Sequence, residues 1–468
     1  MAGSSSDGLG GHAAAAAAPG ARRPWLGLPL WLRRPDWASL VVVGLLYSNA
    51  VVVAIKFHGL PLLAGAALPA LLLLPIAHYV LLRRQSVVMG PEVPAVLAWF
   101  AFMAVAALCS RDPGRSLGVV QEYALEGLFL YLLVTNAIRR VRVLRPLAWS
   151  LLAAGVVMTA APVVQQLTGT FDHVYGGFGQ LEERPFTIAS GTAQHRLAGT
   201  IGEKNRFAQI TMLLLPVALY LCWSARRRVP RLLAYGATVT ILGGFALAFS
   251  RGAAVAAVML FMVAIALRMI SMRQTLGLVA AGGLLLLATP QYLQRLSELP
   301  VVSSVVWGKE AKPDGAVRGR LTEMLAAVHV CADHPVVGVG PGMFADYSQE
   351  YGNRLNIRRL DNERQAHNLY LHIAAESGFL GLGAFLALVG VTLGRLARLR
   401  QRWLPTHPEH AALCSAFGMM VLAYLATGLF LHLTYVRYFW LMMALAAAVA
   451  NVLDPDTRRS WRRMRPAA

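Results

Sequence analysis

The sequence predicts an all-α polytopic membrane protein of about twelve transmembrane helices, with a large, partly helical outer loop between spans nine and ten. Three observations carry this. Hydrophobic residues make up 57% of the 468-residue chain and charged residues 14%, where a soluble domain carries about 25% charged. The mean hydropathy is +0.54. Apolar runs of about 20 residues, enough for a helix to cross a bilayer core, recur along most of the length. The alternation of a β-barrel is missing.

The chain opens on MAGSSSDGLGGHAAAAAAPG. This stretch lacks the basic start, apolar core and cleavage site of a signal peptide in that order, so residues 1–36 are expected to be a disordered cytoplasmic tail. Spans follow near 37–55, 60–82, 92–110, 117–137, 146–166, 206–223, 231–249, 252–271 and 275–293. An outer loop at 167–205 separates the fifth from the sixth. A second outer loop, 294–367, precedes the last three spans near 368–393, 411–431 and 433–452, and residues 453–468 form a basic cytoplasmic tail. Within the second loop, residues 319–332 have helical apolar spacing, and HPVVGVGPGMF is a Gly/Pro turn region. Loops this long are usually functional or disordered.

Arginine clusters orient the spans. They fall on alternate connections: Arg33 and Arg34, Arg83 and Arg84, Arg139 to Arg145, Arg226 to Arg231, Arg268 and Arg273, Arg395 to Arg402, then Arg458 to Arg465. Both termini are therefore expected in the cytoplasm, which requires an even number of spans. The net charge of +20 is mostly this topology signal. Nucleic-acid binding is rejected, because the clusters are short, separate and tied to span ends. Four cysteines, Cys109, Cys222, Cys331 and Cys414, have no metal-site spacing.

Cations on the outer face are not explained by topology. Lys204 and Arg206 lie in GTIGEKNRFAQ where a span begins, beside Glu203 and Asn205. The glycines and the helix N-terminus there suit an anion clamp, although a snorkelling helix end is the plain alternative. Arg251 sits in a very short outer turn, with an ion pair as its alternative. Arg318 and Arg320 open the loop helix; two residues apart, they point different ways, so only one need face a site. His367 and Asn368 stand at the mouth of the tenth span, where a hydrogen-bonded cap is the alternative for the imidazole. His372 is too far round the helix to be a clean partner for His367, and Glu376, deeper in the span, needs a partner for its burial.

His367-Asn368, nine residues and Gly378-Phe379-Leu380-Gly381 resemble the His-Asn-x9-Gly-x-x-Gly signature of the O-antigen ligase/polymerase superfamily. Three further segments agree in order and spacing: GTIGEKNRFA (199–208), AFSRG (248–252) and RLTEM…DHPVVGVGPGMF (320–344). The chain departs from many relatives at GEKNR, where they carry Gly-Asn-Pro-Asn-like residues.

The resemblance implies a GT-C-like glycosyltransferase of the bacterial inner membrane with a periplasmic active site. The donor would be a polysaccharide on undecaprenyl pyrophosphate, and the acceptor a hydroxyl of lipid A–core oligosaccharide. The outer face offers guanidiniums, which bind phosphate bidentately and stay charged, and no Asp/Asp cluster. The expectation is a metal-independent, cofactor-free transfer, with Arg206, Arg251 and Arg320 on the pyrophosphate and Lys204 assisting. His367 would be the general base, and Asn368, Asn205, Glu203 and Arg318 would support it. Direct attack would invert the anomeric centre; Glu203 is the nearby carboxylate a retaining route would need. A groove open to the outer leaflet is expected, with the long loop as lid, and a monomer suffices. An O-antigen polymerase or a protein O-oligosaccharyltransferase shares the signature. A lipid-linked sugar transporter is the rival from another class, with Glu122 and Glu126 its main intramembrane charges.

Overall fold

The structure, a computed structural model, describes residues 35–182, 186–187, 193–289, 291, 315–355, 357, 364–432 and 436–461. The expected tails, apart from residues 35–36 and 453–461, and the cations Arg184, Arg295, Lys309, Lys312, Arg358 and Arg359 lie outside these residues.

Among the described residues, eight helices are long and apolar enough to cross a membrane, or nine if the bent pair α1 (Asp36–Ser48) and α2 (Ala50–His58) is one span. The others are α3 (Leu63–Leu82), α5 (Pro113–Ala137), α6 (Val141–Thr168), α7 (Lys204–Ser224), α8 (Arg228–Leu247), α13 (Leu369–Trp403), α14 (Pro408–Thr427) and α15 (Val436–Leu453). Three shorter apolar helices, α4 (Val93–Leu108), α9 (Arg251–Ala266) and α10 (Met272–Ala288), occupy the remaining expected positions. Each of the twelve expected spans thus has an apolar helix. The first is bent by 59° at Asn49, whose φ of 61° is left-handed, a region asparagine tolerates better than most residues. Its amide donates to the Thr200 carbonyl at 2.7 Å and accepts from Arg437 at 2.6 Å, which fixes the bend.

Helix α15 is the axle of the bundle, with 94% of its apolar window buried. Trp440 on α15 stacks on Trp99 of α4 at 5.5 Å between ring centroids and lies against Gly127 of α5, where no Cβ fits. At the arginine-rich end, Arg395 of α13 is buried against Glu92 (3.1 Å), Asn451 (2.6 Å) and Asp454 (3.2 Å), tying three segments together. Helix α10 stands apart, with no buried residue.

The long connections gather at the other end. The first holds two short antiparallel ladders, Gln180–Leu181 with Leu197–Gly199 and Phe186–Thr187 with Ala193–Gln194. The second carries α11 (Gly315–Asp333) and α12 (Phe344–Arg354). Ala326, Ala327 and Val330 of α11 and Phe344 and Tyr347 of α12 form one apolar cluster with Ala374 and Ala375 of α13.

That docking depends on a break in α13. Gly378 has φ 67° and ψ −177°, a conformation essentially reserved for glycine. The break frees the carbonyls of Ala375 and Glu376 from the helix, and the 335–342 turn satisfies them: Val339 N–H donates to Ala375 O and Gly340 N–H to Glu376 O, both at 2.9 Å. Phe379 N–H donates back to Pro335 O at 2.8 Å. Buried backbone groups rarely go unpaired, so turn and break require each other.

Candidate active site

The loop end of the bundle brings together the N-termini of α7, α9 and α13, the start of α11 and the hairpin between α14 and α15. Asn368 caps α13, accepting from Tyr370 N–H and Leu371 N–H at 3.0 Å each. Its amide donates to Leu429 O at 3.2 Å, and Leu369 N–H donates to Gly428 O at 2.7 Å. His367, just outside the cap, has φ 46°, a strained value for a non-glycine residue that the surrounding bonds hold in place.

His367 Nε2 lies 3.5 Å from Oε2 of the buried Glu323 on α11. Nδ1 of the same ring is buried without a hydrogen-bond partner. Burial, then Arg320, Arg206 and Arg364, hold the imidazole pKa down to about 4. His367 is therefore neutral near pH 7.

Arg206 is buried, 3% exposed, and donates to the His432 carbonyl and to Gln209 Oε1 at 3.2 Å. Gln209 in turn donates to Thr427 at 2.8 Å. Asn205 accepts from the Ser250 hydroxyl at 2.9 Å, joining the start of α7 to that of α9, which Arg251 opens. Arg320, Asn205, Ser250, Gly252, Thr427 and Phe430 are among the residues lining a narrow cleft of about 10 Å³, room for about a single water.

Several expected residues fall differently. Lys204 is paired with Glu182 at 2.6 Å and so is committed elsewhere than the clamp. The helix N-terminus expected to attract phosphate is already occupied: Glu203 caps α7, accepting from Asn205 N–H at 2.9 Å and Arg206 N–H at 2.8 Å. With both oxygens engaged, Glu203 is placed as a cap, not as a nucleophile. Arg318 is exposed, whereas Arg320 lines the cleft. Glu122 and Glu126 lie on the exposed side of α5.

His372 does not meet His367 directly, but the two are linked through a third imidazole. His367 lies off the helix, and His432 bridges the two, with ring centroids 5.4 Å from His367 and 5.7 Å from His372. His372 also meets Glu376 at 3.3 Å, which supplies the partner expected for that carboxylate. Burial, then Arg206 and the other two histidines, push the His432 pKa far down. Neither Glu323 nor His432 was singled out from the sequence. Glu323 could have been found three residues after Arg320, on the same helix face. His432 could have been found as a lone histidine in the hairpin between the last two spans.

The fold and site define a multi-pass helical membrane protein with a basic, histidine-bearing site where span ends meet a long loop. Residues 236–386 match the family model described as O-antigen ligase, a family of glycosyl-transferring enzymes of ligase and polymerase type. The matched segment holds Arg251, Arg320, His367, Asn368 and both signature glycines, in keeping with the O-antigen ligase/polymerase superfamily. No curated protein matches the chain.

Proposed function

We propose that the protein is an O-antigen ligase that moves a polysaccharide from undecaprenyl pyrophosphate to a lipid A–core hydroxyl on the periplasmic face of the inner membrane. The observation that carries the reading is the half-buried imidazole of His367, its pKa held down beside Arg320 and Arg206. The acceptor oxygen attacks C1 of the donor sugar while the neutral imidazole of His367 takes its proton. The bond from C1 to the pyrophosphate oxygen breaks, and undecaprenyl pyrophosphate leaves with the bonding pair. Arg320, Arg206 and Arg251 stabilise the charge that grows on it. One displacement inverts the anomeric centre, and no step uses a metal ion. The resting cleft is too small for a pyrophosphate, so binding must part the loop helix α11 from the ends of α9 and α14.

Donor binding also adjusts the base. A bound pyrophosphate neutralises the guanidiniums that depress the His367 pKa, so proton affinity rises when substrate is present.

The test is gel-ladder formation by purified wild type and His367→Ala, each given lipid-linked glycan and lipid A–core with EDTA. The expected result is a ladder from wild type and a loss of about 10²–10⁴-fold in a folded mutant. A ladder of equal strength from both would remove His367 as base. Glycan polymerisation by wild type with the lipid-linked donor alone, and no transfer to lipid A–core, would make the protein a polymerase.

A further inference from the structure

At the arginine-rich end of the bundle, where the 28-residue α6 begins, Arg139, Arg140, Arg142, Arg458 and Trp461 line a cavity of about 430 Å³ with Gln85 and Val141. Insertion topology accounts for arginines at span ends. It does not account for how these are arranged.

The charge is not balanced. Among the described residues, Asp36 is the one carboxylate paired with any of the four, at 3.2 Å from Arg140 and 3.0 Å from Arg142. Arg139 is buried, yet it donates only to uncharged oxygens: Ser86 O, Asn136 O and Asn136 Oδ1, each at 2.8 Å.

The donors are also unsatisfied. Nε of Arg458 and Nε1 of Trp461 are buried without a hydrogen-bond partner, and Trp461 is only 5% exposed. Buried polar atoms in native proteins are nearly always paired. Val141 begins α6 here, and its cap residue, Arg140, makes no side-chain capping bond, so a positive helix end faces the same space. Gln85 Oε1 is the unsatisfied acceptor in the cavity wall.

We propose that this cavity binds a phosphate ester, and that the ligand is a phosphoglycerol headgroup of the adjoining, arginine-rich leaflet. The guanidiniums, the indole N–H and the helix end receive the phosphate oxygens, and Gln85 accepts from a glycerol hydroxyl. The volume suits a headgroup better than bare phosphate.

The experiment is thermal unfolding of the full-length protein in neutral detergent, titrated with short-chain phosphatidylglycerol, phosphatidylcholine of the same chains, glycerol phosphate and inorganic phosphate. Phosphatidylglycerol is expected to raise the Tm, and phosphatidylcholine to leave it in place. Arg458→Gln should weaken phosphatidylglycerol binding about tenfold, the scale of one charge-assisted hydrogen bond. Trp461→Phe keeps the ring and removes only the N–H, so it should weaken binding about threefold and decides the matter if Arg458→Gln does not fold. Protection by glycerol phosphate or inorganic phosphate equal to that by phosphatidylglycerol keeps the phosphate site and makes its ligand soluble. Equal protection by the two lipids, or wild-type binding in both variants, overturns the proposal.

Discussion

Replacing Arg320 with glutamine is expected to move the acid limb of the activity profile toward neutral pH. A positive neighbour disfavours imidazolium, so removing it raises the His367 pKa from its wild-type value of about 4. Burial is the largest cause of that depression and Arg320 the first of the three guanidiniums after it, so Arg320→Gln should move the limb further than loss of Arg206 or Arg364. The base works in its neutral form, so activity is held above the pKa and lost as pH falls through it. The assay is the initial rate of ladder formation against pH. Its kcat/KM profile reports the free enzyme, and its kcat profile the donor complex. Wild type should show a kcat/KM limb near pH 4, and a kcat limb at higher pH because the bound pyrophosphate offsets the arginines. Arg320→Gln should raise the kcat/KM limb and narrow the gap between the two. A limb that stays put or moves to lower pH in Arg320→Gln would refute the reasoning, as would identical kcat and kcat/KM limbs in wild type.

Lys204→Met should change donor KM by less than about threefold, since Lys204 is already paired with Glu182, whereas Arg206→Met should cost about tenfold or more in kcat/KM; steady-state kinetics with varied donor separates them. His432→Phe keeps a ring between His367 and His372 but removes its nitrogens, and should lower kcat with little change in donor KM, whereas a change confined to KM would place His432 in donor binding. Gly378→Ala must adopt φ 67° against the Val336 carbonyl and should cost about 1–3 kcal/mol, read as a lower Tm in detergent. Glu92→Gln leaves Arg395 buried beside a neutral amide and should cost up to about 3–5 kcal/mol by the same measurement.

The apolar helices were legible because hydropathy acts over whole helices, where single-residue errors average out, although eight or nine of the twelve expected spans are long and apolar enough to cross a membrane among the described residues. Span ten shows the limit: the apolar pattern stops near 393, but α13 continues to Trp403 because its arginines extend past the apolar layer. The residues of the site were legible as a set of types and less so as partners. Arg206 and Arg320 could be named from excess charge on the outer face. The pairing of Lys204 with Glu182 could not, because they are 22 positions apart and no single periodicity relates them. The link from His367 to His372 through His432 was not legible either, for a specific reason. Helical spacing does not extend across the capping Asn368, and His432 comes from another hairpin altogether. A periodicity argument holds only within an element, and active sites are assembled where elements end.

That same geometry gives the Gly-x-x-Gly half of the signature a role that its distance from His367 conceals. Gly378 breaks α13, the break exposes two carbonyls, and the 335–342 turn binds them. The turn joins α11 to α12, and both pack on the half of α13 before the break. Arg320 and Glu323 ride on α11; His372 and Glu376 ride on α13, with His367 at its mouth. The glycine therefore sets the distance between the guanidinium that would hold the leaving group and the imidazole that would take the proton, without touching either substrate. A side chain at 378 would act on the register of α11 against α13 before it acted on chemistry. Its effect on rate should then follow its effect on the Tm across a series of substitutions, while changes at His367 lower the rate at constant Tm.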